Sequence, residues 1–79
     1  NDLIIFPNPA KNVFFINVAD EKAPKNYEVS IYDLNGKLLH QQIRDTSKSV
    51  STETLSKGIY VLAIKTGEQQ WFRKLAVMK

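Results

Sequence analysis

The stretch Gly58-Ile59-Tyr60-Val61-Leu62-Ala63-Ile64-Lys65-Thr66, joined across Gly67-Glu68 to Gln69 through Lys79, leaves a chain of this length few architectures. It reads as one long β-hairpin. The first arm is almost entirely β-branched, aromatic or aliphatic, the composition of a strand covered on both sides, and it belongs in the middle of a sheet. The second arm interleaves apolar residues with Arg73, Lys74 and Lys79. It belongs at an edge, where cations discourage pairing with another chain.

Upstream, the same period of two recurs in shorter runs. Leu3–Phe6 is an apolar strand stopped by Pro7-Asn8-Pro9, because proline lacks an amide donor and holds its predecessor extended. That kink is expected to end the first strand on one sheet and let Asn12–Val18 begin on the other, with Phe14, Ile16 and Val18 on one apolar face. Pro7-Asn8-Pro9 itself reads either as a recognition epitope or as a rigid corner. Residues 19–26 form a polar loop around Pro24 and Asn26. Tyr27, Val29 and Ile31 then alternate with Glu28, Ser30 and Tyr32, the pattern of a half-buried antiparallel strand. Asn35-Gly36 predicts a tight type I′ hairpin with both residues at positive φ, and Lys37–Arg44 returns as the partner strand. Beyond a turn at Asp45-Thr46, Ser47–Thr52 is a short edge strand with one core residue, Val50, and Leu55 plugs the end of the core. Six or seven strands with no helical period predict an all-β fold, a two-sheet sandwich in preference to a small barrel.

Seventy-nine residues make one domain, and a globule of that size buries only about 60% of the surface its unfolded chain exposes. Each large apolar side chain is needed. No apolar run approaches the ~20 residues of a membrane helix, and the start lacks a signal-peptide pattern. An exported protein is therefore expected to carry this sequence as one piece of a longer precursor. The formal net charge is +3, and the whole surplus falls in residues 65–79, where Lys65, Arg73, Lys74 and Lys79 stand against Glu68 alone. A basic strand of this kind either meets an anionic surface or guards a sheet edge.

Catalytic constellations are missing. Without cysteine, and with His40 as the one histidine, neither a histidine-cysteine zinc site nor a Cys/His nucleophile can be assembled, and no cofactor is expected. Asp20-Glu21, the one adjacent carboxylate pair, lies in a loop beside Lys22. Asp33, just before Asn35-Gly36, is expected to shape that turn. Trp71-Phe72 beside Arg73-Lys74 would suit base stacking over a basic groove, but in so short a chain those rings are expected to belong to the core or its margin. Nucleic acid is not an expected partner.

Four segments in one order, Phe6-Pro7-Asn8-Pro9-Ala10, Tyr32-Asp33-Leu34-Asn35-Gly36-Lys37, Gly58-Ile59-Tyr60-Val61-Leu62-Ala63-Ile64 and Arg73-Lys74-Leu75-Ala76-Val77, resemble the C-terminal sorting domain of the type IX secretion system. Asn-Pro and Asn-Gly are common singly; four such motifs in register over nearly the whole chain are specific. The resemblance implies an immunoglobulin-like antiparallel β-sandwich of about seven strands at the C-terminal end of a secreted cargo protein of a Gram-negative bacterium, an address and not an enzyme. It implies transit through the periplasm, recognition by shuttle components and an outer-membrane translocon, and removal by a cell-surface sortase. Many cargoes of the family are joined to anionic lipopolysaccharide.

Carried onto this sequence, Pro7, Asn8 and Pro9 are the opening motif, and Gly58, Tyr60, Leu62 and Ile64 the central one. Arg73, Lys74, Leu75, Val77 and Lys79 are the terminal one. Trp71-Phe72 departs from the family pattern, being bulkier than the polar residues expected before the final strand. Residues 69–79 with the Gly58 arm are expected to face the receptor, by strand addition or on an acidic surface. A homodimer through an edge strand is a further expectation. The alternative function is an immunoglobulin-like accessory module that binds carbohydrate or protein on a platform of Tyr27, Tyr32 or Trp71.

Overall fold

The computed structural model describes residues 3–18, 27–44, 49–66 and 69–79, which contain seven strands and no helix. The strands are β1 (Leu3–Phe6), β2 (Val13–Val18), β3 (Tyr27–Tyr32), β4 (Leu38–Arg44), β5 (Ser49–Ser51), β6 (Gly58–Lys65) and β7 (Gln70–Val77). They form two antiparallel sheets, one ordered β1-β2-β5 and the other β4-β3-β6-β7. The sheets face each other as an immunoglobulin-like sandwich; a barrel would need continuous ladders between them. Among the described residues a single parallel bridge, Ala10 to Val77, joins their edges. The expected loop at 19–26, the turns at Asp45-Thr46 and Gly67-Glu68, and residues 47–48 lie outside the described residues.

The period of two decides what is inside. Leu3 of β1, Phe14 and Ile16 of β2 and Val50 of β5 face Tyr27, Val29 and Ile31 of β3, Tyr60, Leu62 and Ile64 of β6, and Trp71, Leu75 and Val77 of β7. Leu55 closes one end, as its place in the sequence suggests. A slip of one residue in any ladder would turn its row outward, so the hydrophobic pattern fixes the register. Burial pushes the Tyr27 hydroxyl above the ordinary tyrosine pKa, so the ring stays neutral in the core. The long hairpin lies where its composition places it in the sheet order, β6 inside the four-stranded sheet and β7 at the edge, but β6 is not covered on both sides, for Ile59 on its outer face is 41% exposed.

Three expectations need correction. The Pro7-Asn8-Pro9 kink does not send β2 to the opposite sheet: β1 and β2 pair with each other, Leu3 against Val18 through Phe6 against Phe15. The corner brings Asn8 and Ala10 to β7 instead. Nor is the Asn35-Gly36 turn of type I′, for Gly36 alone has positive φ, at 87°. Gly36 N–H donates to the Asp33 carbonyl at 3.1 Å and Asp33 N–H to the Lys37 carbonyl at 3.0 Å. Those bonds define a type I turn closed by a glycine bulge, the common three-residue hairpin. Asp33 Oδ1 selects it by accepting from the N–H groups of both Asn35 and Lys37, at 2.8 and 2.9 Å. Finally, Val50 is not the only core residue of its stretch. Thr52 is fully buried, and its hydroxyl donates to the Lys11 carbonyl at 2.7 Å, so its polar group is matched where it lies.

Candidate functional site

Asn8 takes the place of a strand residue against the outer edge of β7. Its Nδ2 donates to the Lys74 carbonyl and its Oδ1 accepts from the Ala76 N–H, both at 3.0 Å. Two residues on, the Ala10 N–H donates to the Ala76 carbonyl and the Ala10 carbonyl accepts from the Met78 N–H, both at 2.8 Å. One short segment thus satisfies the outward backbone groups of β7 from the Lys74 carbonyl to the Met78 amide. Both X-Pro bonds of the corner, Phe6-Pro7 and Asn8-Pro9, are cis.

Arg73 fastens the other end of the same edge. Its side chain starts on the core side of β7, in the row of Trp71 and Leu75, but β7 is the last strand of its sheet and the guanidinium passes round the rim. There Nε and Nη2 donate to the Leu3 carbonyl at 3.3 and 3.1 Å, and Nη1 to the Phe72 carbonyl at 2.9 Å. β1 and β7 share no ladder, yet Arg73, Asn8 and Ala10 stitch the first strand and its corner to the last.

Truncating Asn8 to alanine removes both side-chain bonds and is expected to lower stability by about 1–2 kcal/mol. Amide exchange localises the loss: the Ala76 N–H, held by Asn8, should exchange faster, while the Met78 N–H, held by Ala10, should change little. Equal acceleration of the two would mean that Asn8 does not hold the edge separately from Ala10.

The motif residues divide by strand parity. Pro7, Asn8, Pro9, Lys74 and Lys79 are exposed, whereas Tyr60, Leu62, Ile64, Leu75 and Val77 are buried and Arg73 is half-buried. Gly58 opens β6 opposite Val77. The Tyr60 hydroxyl donates to the Ser56 carbonyl four residues upstream, a tyrosine corner of the kind immunoglobulin-like sandwiches use at this strand. Lys79 Nζ donates to the Glu53 carbonyl at 3.0 Å, tying the end of the chain to the β5–β6 connection. Ala10, fully buried against β7, was not singled out by the sequence; its one signal is a small residue directly after Pro9, where two backbones meet.

Lys65 and Lys74 lie on the outer face of the four-stranded sheet, in the cross-strand positions Lys65–Gln70 and Val61–Lys74, with Phe72 between them. Trp71 points inward and is 9% exposed, against 60% for Phe72, so neighbouring rings serve opposite faces. This takes two of the three rings out of the expected aromatic platform. Tyr27 and Trp71 are core residues, and only the half-buried Tyr32 reaches the surface.

The family model of the secretion system C-terminal sorting domain matches residues 4–78, a span that contains every element of the clasp except Leu3. The chain belongs to that family. No curated protein matches it. The sorting domain is a C-terminal sorting signal for type IX secretion, and its family is not an enzyme family. That role implies export to the cell surface or extracellular space and interaction with the type IX machinery.

Proposed function

We propose that the machinery reads the sorting signal as one composite surface, made of the Pro7-Asn8-Pro9 corner and the exposed cations Lys74 and Lys79. The observation that carries this reading is the Asn8 clasp, which joins the opening and closing motifs into one patch although 66 residues separate Asn8 from Lys74. Gly58, Tyr60, Leu62, Ile64, Arg73, Leu75 and Val77 give that patch its shape from beneath. Strand addition is disfavoured along Lys74–Met78, where the backbone edge is already bonded to Asn8 and Ala10. Docking by side chains and charge remains, on an acidic surface of a shuttle component or of the outer-membrane translocon. The domain crosses the periplasm folded and is then cut from its cargo by a cell-surface sortase, supplying recognition and no chemistry to that cleavage.

Charge reversal tests the reading in a tagged cargo. Lys74→Glu combined with Lys79→Glu alters two exposed side chains and gives up one exposed bond, from Lys79 to the Glu53 carbonyl; surface substitutions usually change stability by about 0.5 kcal/mol or less each, and such an exposed bond adds little to that. The expected result is a folded domain with a near-normal thermal midpoint and a cargo held in the periplasm. Normal surface display of that folded variant would overturn the proposal.

A further inference from the structure

Four strands lie at sheet edges, and three of them are guarded. The Leu3 carbonyl of β1 is taken by Arg73; β5 is only three residues long; β7 is clasped by Asn8 and Ala10. β4 is different. It runs seven residues, Leu38-Leu39-His40-Gln41-Gln42-Ile43-Arg44, without proline or carboxylate, and Arg44 is its one fixed charge. A register shift opposite Ile31 and Tyr32 disturbs one end only. Among the described residues nothing pairs with its second edge.

Which backbone groups face outward follows from alternation across the sheet. Ala76 directs its N–H and carbonyl away from β6, so the odd residues of β7 bond β6. The even residues of β6 are thereby committed to β7 and its odd residues to β3, through Ala63–Ser30 and Lys65–Glu28. Tyr27, Val29 and Ile31 then bond Arg44, Gln42 and His40 of β4. Gln41 and Ile43 are left with amide and carbonyl turned away from β3, where no strand of the described residues pairs with them. The Gln41 side chain does not cover them, because its Nε2 is turned back onto β3, to Ser30 Oγ at 3.0 Å and Glu28 Oε1 at 3.3 Å.

We infer that the β4 edge pairs with the β4 edge of a second copy of this chain, antiparallel about a two-fold axis at Gln41. Such a register sets Gln41 against itself and Leu39 against Ile43 of the other copy. Ile43, at 73% exposed the most open of the large apolar side chains among the described residues, gains an apolar neighbour, and no two like charges stand directly opposite. The cationic hairpins do not oppose the pairing. In the resulting eight-stranded sheet the two β7 strands are seven strand spacings apart, about 34 Å, several times the screening length of about 8 Å at physiological salt. The Asn8 corners and Lys74 side chains stay at the outer ends, so the inference does not depend on how the sorting signal is read.

One strand pair buries less surface than a standard stable interface, so the dimer is expected to be weak and concentration-dependent. Sedimentation of the chain between about 10 µM and 1 mM should show the mass rising from 9.0 kDa towards twice that value. Amide shifts that move with concentration should centre on Leu39, Gln41 and Ile43. Gln41→Pro removes the outward N–H and leaves the bonds from His40 and Gln42 to β3, so it should abolish association. Ile43→Lys changes no backbone group and should weaken association at least tenfold. Gln70→Pro, on the part of β7 beyond the clasp, should leave it unchanged. A chain that stays monomeric to 1 mM, or association lost with Gln70→Pro and kept with both β4 variants, would overturn the inference.

Discussion

Replacing Phe14 by alanine is expected to destabilise the domain by about 3–5 kcal/mol, the usual cost of deleting a fully buried ring and leaving a partly collapsed cavity. Phe14 is the largest fully buried side chain among the described residues, set in the middle strand of the three-stranded sheet opposite Val50. At roughly 0.05–0.15 kcal/mol per residue, a domain of this size holds only about 4–12 kcal/mol in total. The substitution therefore removes between a quarter and all of it. Phe15, one position on, supplies the control. It faces outward, 40% exposed, with its ring stacked on Phe6 across the ladder at a centroid distance of 5.7 Å and an interplanar angle of 27°. Losing that contact costs about 0.5–1.5 kcal/mol beyond the exposed area involved. Urea unfolding followed by the fluorescence of buried Trp71 should therefore give a much larger drop in midpoint for Phe14→Ala than for Phe15→Ala. Equal drops would mean that the register of β2 is not the one described.

That contrast also shows why one part of the molecule was legible from sequence and another was not. Period-two patterning reports on single strands, and it correctly set Phe14 and Val29 on apolar faces and β7 at an edge. It carries no information about contacts between distant strands. Pro7-Asn8-Pro9 announces a corner because proline restricts its neighbours, but nothing local says that the Asn8 amide will bond β7, since that depends on how two sheets stack. Asn35-Gly36 was misread for a related reason. A two-residue loop and a three-residue loop share the glycine, and the choice was made by the Asp33 carboxylate accepting from Asn35 and Lys37. In the motifs, a run such as Arg73-Lys74-Leu75-Ala76-Val77 looks like one recognition element. The pleat divides it, with Lys74 exposed, Leu75 and Val77 sealed, and Arg73 bent round the rim to Leu3.

Leu75→Ala is expected to cost about 2–5 kcal/mol and, through the fold alone, to stop delivery of a cargo. Leu75 is fully buried opposite Tyr60, between the two residues whose backbone Asn8 grips, so a cavity there loosens the core and the clasp together. Removing the last ten residues does the same more severely, because it takes away all of β7 and uncovers Leu62 and Ile64. A truncation that blocks export therefore cannot distinguish loss of an address from loss of the structure that displays it. Temperature can. Cargo carrying Leu75→Ala should reach the surface below the midpoint of the weakened domain and fail above it. Charge-reversed Lys74 and Lys79 should fail at every temperature while the domain stays folded. If Leu75→Ala blocked delivery even where the domain is demonstrably folded, Leu75 would be contacted directly, and the division of the terminal motif into a buried support and an exposed signal would be wrong.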